Sequence, residues 1–244
     1  MKLRFILSIL LLSSTCILSA QDNPYANSVG TMLNDDGKLG IGGYGEVHYN
    51  QPLSSDKKET GTVDLHRMVM FLGYNFTKNT QFISEIEFEY AKELWVEQAF
   101  LQHKISKFIN LRAGLLLVPM GIINEYHEPV TFNGVERPII DNKISLSTWR
   151  EIGAGFSGNV LPVSMKYQLY VMNGLSGYDN KGLFTGASGL REGRQKGSKA
   201  YIHSPSFSGK IEYYGLRSLN IGISGYIGKS QSKFFNKLHN DSLK

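Results

Sequence analysis

Segments of about ten residues that alternate apolar and polar side chains recur along this chain, and a period of two dictates strands, because a helix would scatter the same residues around its axis. In the clearest segment Phe82, Ser84, Ile86, Phe88 and Tyr90 share one face, with Gln81, Glu85, Glu87 and Glu89 on the other. A second sets Ile109, Leu111, Ala113, Leu115 and Leu117 against Asn110, Arg112 and Gly114, and a third sets Val163, Met165, Tyr167, Leu169 and Val171 against Ser164, Lys166 and Gln168. Weaker copies cover 39–50, 63–76, 93–103, 150–158, 206–214 and 218–228, about nine strands in all, spaced as a meander of hairpins. In 63–76 Arg67 competes with Asp64 and His66 for the polar side, and 93–103 is ambiguous in the same way around Glu97 and Gln98. The 26 glycines, 13 tyrosines and 13 phenylalanines agree with many strands rather than long helices. With 41% hydrophobic and 19% charged residues, disorder is excluded.

About ten residues is also the length with which a tilted strand crosses a bilayer. Mean hydropathy is −0.20, and beyond the N-terminus no apolar run reaches helix-spanning length. Barrels escape such a test, since their lipid-facing and lumen-facing residues alternate. The connections carry a second signal. Residues 78–80, 104–107, 158–162 and 215–217 are short, whereas 51–62, 120–148 and 174–205 are long. Short periplasmic turns alternating with longer external loops are the pattern of outer-membrane barrels. Only Ala91-Lys92 breaks it by being tight on the long side. A secreted β-sandwich also alternates, but recurring aliphatic faces together with loop alternation favour a transmembrane antiparallel β-barrel.

Residues 1–20 read as a secretory signal, with Lys2 and Arg4 at its charged start, an apolar stretch over 5–12, and Ser19-Ala20 before a cleavage at Gln21. Ser13, Ser14 and Thr15 cut the run too short to span a bilayer. Cys16, the only cysteine, lies inside this segment in a poor lipoprotein context, so the exported chain has no disulfide framework, thiolate metal site or cysteine nucleophile. Loss of Lys2 and Arg4 lowers the formal charge from +5 to +3, too weak a bias for nucleic-acid binding. Residues 21–38 then form a periplasmic segment and 39–244 the barrel portion.

Four segments occur in order: Gly114-Leu115-Leu116-Leu117-Val118-Pro119-Met120-Gly121, then Thr131-Phe132-Asn133-Gly134-Val135-Glu136-Arg137, then Trp149-Arg150-Glu151-Ile152-Gly153, then Val171-Met172-Asn173-Gly174. In this order after an exported N-terminus, the chain resembles the phosphate-selective porin O and P family of Gram-negative outer membranes, from about Gly40 to Gly228. The resemblance implies a sixteen-stranded barrel, usually a homotrimer, whose long third external connection, here 120–148, folds inward to narrow the pore and brings Arg137 to the constriction. Two departures stand out. About nine strands is an odd count that cannot close a single-chain barrel, and the chain ends Asn240-Asp241-Ser242-Leu243-Lys244 without a terminal aromatic residue. The sequence is therefore expected to be the N-terminal part of a larger barrel, its C-terminal part missing.

Candidate sites follow from the lining. Glu85, Glu87 and Glu89 share one face of one strand, and Arg112 and Lys166 lie on the inward faces of later strands. Acidic and basic walls could thus set up a transverse field that orients small charged solutes, or the charges could simply solvate a wet interior. In the loop 191–199, Arg191, Arg194 and Lys196 could attract phosphate-like anions or lipopolysaccharide phosphates to an entrance, or merely solvate it. Gly40-Ile41-Gly42-Gly43-Tyr44-Gly45 matches a dinucleotide fingerprint literally, but Glu46-Val47-His48-Tyr49 continues as strand where that motif needs a helix. Glu125-Tyr126-His127-Glu128 reads as a solvated loop rather than a metal cluster, and no nucleophile elbow is present.

The reading is an outer-membrane porin, not an enzyme, with no metal, no cofactor and no nucleic-acid partner, that lets small hydrophilic and anionic solutes diffuse passively among outer-membrane lipid. The alternatives are an exported β-sandwich binding protein, a plugged non-conducting barrel, and an outer-membrane lipid hydrolase.

Overall fold

The computed structural model describes residues 37–53, 60–126 and 146–234. The signal segment, most of the periplasmic segment, Arg137 and the C-terminal ten residues lie outside the described residues.

The described residues are all-β. Nine strands form one antiparallel sheet: β1 Leu39–Asn50, β2 Thr62–Thr77, β3 Thr80–Glu89, β4 Glu93–Ser106, β5 Ile109–Leu117, β6 Arg150–Val160, β7 Met165–Met172, β9 Ser206–Leu216 and β10 Leu219–Ile227. The short strand β8, Ser176–Tyr178, lies in the connection before β9 and pairs in parallel with β11, Gln231–Ser232. The sheet is a meander in the order β1-β2-β3-β4-β5-β6-β7-β9-β10, with β1 and β10 at its edges. No helix of the described residues is long and apolar enough to cross a membrane. The alternation of connections is as expected: 78–79, 107–108, 161–164 and 217–218 turn at one end, and the long connections at the other.

Apart from β3, none of whose residues is exposed, the long strands have a bare face and a covered face. The bare face carries Ile41 and Val47 on β1, Leu101 on β4, Ile109 and Leu111 on β5, Phe156 on β6, Leu169 and Val171 on β7, Phe207 and Ile211 on β9, and Ile221 and Ile223 on β10, all exposed. The covered face holds buried Arg67, Glu85, Glu87, Gln102, Lys210 and Glu212 beside an apolar cluster that includes Phe71, Ile83, Phe100, Leu116 and Met172. Burying one large apolar side chain is favourable by about 1.5–3 kcal/mol, so a sheet that leaves this many bare while covering its carboxylates is inverted relative to a protein packed against water.

Two β-bulges explain the two strands whose lining side alternation could not assign. The β1–β2 register runs Glu46 opposite Arg67 and then Val47 opposite Leu65, which leaves His66 as an extra residue. Asp64, His66 and Arg67 are therefore brought to the same covered face, although simple alternation would split them. In the β3–β4 pair Glu85 lies opposite Gln98 and Ile86 opposite Val96, so Glu97 is the extra residue.

Two boundaries change the part that residues play in the sequence reading. Strand β7 starts at Met165, because Leu161–Val163 forms a 3-10 turn around Pro162, which has no N–H to give a ladder, and Ser164 follows at φ 52°. Val163 and Ser164 thus belong to the turn. The tight connection is Tyr90-Ala91 rather than Ala91-Lys92: both residues have positive φ, 51° and 57°, and Lys92 N donates to Glu89 O at 3.1 Å, a primed hairpin turn whose twist suits its strands. Tyr90 consequently leaves the apolar face of β3, and its ring meets that of His66 edge-on at 5.2 Å. The G-x-G-x-x-G segment is strand throughout, and a Cβ on Gly43 would press on the Val69 carbonyl oxygen, so close backbone approach accounts for that glycine.

Candidate functional site

Register places the charges of the covered face in contact with one another. On β1 to β3, Arg67 lies between two carboxylates, with Nε 2.6 Å from Glu46 Oε1 and a terminal nitrogen 3.1 Å from Glu87 Oε1. Glu85 accepts a 2.7 Å hydrogen bond from Gln98 Nε2, and Glu89 accepts one of 3.1 Å from Trp95 Nε1. On β5 to β9, Arg112 donates through Nε to Gln102 Oε1 at 2.8 Å and to the Tyr170 hydroxyl at 3.3 Å, with its guanidinium 5.3 Å from the Phe100 ring centroid. Lys166 lies 5.6 Å from the Tyr214 ring centroid. The three glutamates, Arg112 and Lys166 thus occupy one face, acids on early strands and bases on later ones. Arg67 interrupts the acidic side and Glu212, 3.0 Å from Lys210, interrupts the basic side. The separation into two walls is partial.

The third connection, which the resemblance expects to fold inward, lies against the covered face at 120–126, and the sequence did not show which residues hold it there. Asn124 holds the two ends of the third connection together: its Nδ2 donates to Val118 O and Trp149 O, and its Oδ1 accepts from Trp149 N at 2.8 Å. Gly121 N donates to Ser224 Oγ on β10 at 3.1 Å. Glu125, read from sequence as part of a solvated loop, is largely buried instead. It accepts from Lys210 Nζ on β9 at 2.7 Å and from Gln168 Nε2 on β7. Nothing local announces this, because the partners lie 43 and 85 residues away in sequence.

The basic loop behaves differently from a free entrance. Arg194 donates to the Ser147 carbonyl and, at 2.9 Å, to Thr148 Oγ1, tying the 174–205 connection to the end of the third one. Burial, with Arg191 and Arg150 nearby, lowers its pKa to about 10. Lys196 sits 4.3 Å from the Trp95 ring centroid, and burial also lowers its pKa. Arg191 opens the 3-10 turn Arg191–Gly193, with its pKa lowered by burial. Close by, Arg150 and Glu97 form a buried pair at 2.7 Å. Gln195 closes the loop on itself, donating to Gly174 O and Tyr201 O while accepting from Tyr201 N.

At the other flank the bulge at His66 creates a group that the sequence did not suggest. His48, Asp64 and His66 bring their potential ligand atoms within 4.8 Å of one another. Register would have been needed to see it, since His48 faces Asp64 directly across β1 and β2.

No family model matches the chain. A protein of Aquifex aeolicus (strain VF5), described as uncharacterized, is 39% identical over 204 residues, which are 80% of this chain and 45% of that protein. The chain therefore spans about half the length of this curated relative. Among solved structures, a loop L8 deletion mutant of OmpT, an outer membrane protein of Vibrio cholerae, aligns over 78% of this chain and 69% of its own at 10% identity, with a TM-score of 0.30.

Proposed function

We propose that this chain forms wall strands of an outer-membrane β-barrel that passes small hydrophilic solutes, as its resemblance to the phosphate-selective porin O and P family suggests. The observation that carries the reading is the inverted sheet, with aliphatic and aromatic side chains bare and carboxylates, arginine and lysine covered. Lipid is the solvent that makes such a bare face favourable, and strands satisfy their backbone hydrogen bonds against one another there. The edges β1 and β10 then need strand partners in a longer barrel wall, and the resemblance makes such barrels associate as a homotrimer. No chemical step is assigned. Passage is passive, selected by width and by lining charges that bind weakly enough to release.

The covered face also favours a second reading. The apolar cluster and the Glu125 latch fill space beside the charges, as in a barrel plugged by its own connections. Single-channel recording in planar bilayers, on protein extracted in detergent, separates the two. Stable ohmic steps support the pore, and changing both Arg112 and Lys166 to Glu then moves the reversal potential in a salt gradient toward cation preference. Folded, inserted protein that passes no current refutes the pore and supports the plugged barrel.

A further inference from the structure

We propose that His48, Asp64 and His66 form a binding site for a borderline divalent transition cation of the zinc class, at the end of the β1–β2 hairpin that leads into the long 51–61 connection. Two imidazoles and one carboxylate are the donor set of zinc sites that keep an open position, whereas calcium and magnesium take all-oxygen shells. The donor atoms lie within 4.8 Å of one another. Tetrahedral coordination at bonds of about 2.0–2.1 Å sets donors roughly 3.4 Å apart, so side-chain adjustments of about an ångström close the shell.

Local structure brings these side chains together. Asp64 and His66, two residues apart, share a face of β2, and the bulge at His66 shifts the register so that His48 lies opposite Asp64 on that face. The two imidazoles stack at 3.9 Å with planes 10° apart. His66 Nδ1 is 3.3 Å from Asp64 Oδ1. Glu46 Oε2, 3.1 Å from His48 Nε2, supplies the carboxylate partner that metal-binding imidazoles usually have, and Arg67 fixes that carboxylate from its other oxygen. The three side chains are neither sealed nor splayed: 12%, 19% and 35% of the His48, His66 and Asp64 side chains stay accessible, so an ion can enter from the connection side. The inference stands apart from the pore reading, because it concerns one hairpin whichever solvent the sheet faces.

The test is calorimetric titration of the full chain in detergent with Zn2+, beside His48→Ala, His66→Ala and, as a control, His103→Ala. His103 lies on the bare side of β4, beside Thr80. The expected result is saturable uptake of a single ion per chain. Each of the first two variants weakens it by at least about tenfold, the lower end of what losing even an outer-shell partner costs, and the control leaves it unchanged. Far-UV circular dichroism checks that the sheet is retained. Should an alanine variant fail to fold, Asp64→Asn keeps the shape and removes the anionic donor, with the same weakening expected. Absence of uptake by the unaltered chain, or equal loss in the control, overturns the proposal.

Discussion

Replacing Leu169 by arginine puts the inverted sheet to its hardest test. Leu169 lies on central strand β7, 62% exposed, between Phe156 on β6 and Gly209 on β9. If that face meets lipid, arginine there costs about 2–4 kcal/mol near the bilayer midplane, and the leucine forfeits a further 1.5–3 kcal/mol or so of apolar burial. At about 1.4 kcal/mol per factor of ten, the sum shifts the folding equilibrium by more than about a hundredfold. If the face meets water, the same change is a surface substitution of about ±0.5 kcal/mol. Gln168→Arg is the paired control: it sits one residue away on the opposite face, beside the Glu125 carboxylate, and should fall within about 1 kcal/mol of the starting protein. The assay is equilibrium unfolding in guanidinium of protein folded into phospholipid vesicles, followed by tryptophan fluorescence. Equal stability of Leu169→Arg and Gln168→Arg, with Leu169→Arg protein folded and soluble in plain buffer, would refute the assignment of the bare face to lipid.

Further outcomes are expected at the 120–126 latch and in the 174–205 connection. Glu125→Ala removes the latch and leaves Lys210 with Glu212 as its recorded ionic partner. Because Glu212 still compensates Lys210, the cost stays below the about 3–5 kcal/mol of a buried charge left without a partner, and single-channel conductance rises if 120–126 narrows the path; unchanged conductance would show that it does not. Arg194→Ala frees the 174–205 connection from Ser147 and Thr148, read as faster limited proteolysis within 186–200 at an otherwise intact sheet. Because burial lowers the folded pKa of Arg194 to about 10, well below its unfolded value, the unfolded loop binds more protons in the window from about 10 up to that value. Stability therefore rises with pH through that window. A spin label at Lys199→Cys, in a Cys16→Ser background, should lose mobility as pH climbs past about 10, and Arg194→Gln should flatten that response.

Strand positions were largely legible because period two is local: residues 81–89, 109–117 and 165–171 declare their faces without reference to any neighbour. The lining side of β2 and β4 was not, since one extra residue, His66 or Glu97, reverses the phase of everything beyond it, and a bulge shows only in the pairing. The same limit hid the site partners. Arg67 with Glu46, Arg150 with Glu97 and Lys210 with Glu125 are joined across register, not along the chain. Glu125 looked solvated because its own neighbours are polar, while the strand that buries it comes much later. Arg191, Arg194 and Lys196 looked like a solvent-facing charge run, and the residues that absorb two of them, Thr148 and Trp95, belong to other hairpins.

The triads built around Arg67 and Lys210 have an electrical consequence. A cation held within about 3 Å of carboxylates on two sides belongs to a group of net charge −1, so each triad is felt from a distance as a single negative charge although a cation stands at its centre. Arg112, gripped by the neutral groups of Gln102 and Tyr170, is felt as a single positive charge. An anion drifting along this surface would be drawn toward Arg112 and repelled by the triads, and a cation the reverse. Added salt, which screens the far field at about 8–10 Å under ordinary ionic strength, would then weaken both the attraction and the repulsion at a distance while leaving the contacts inside the triads nearly as they were.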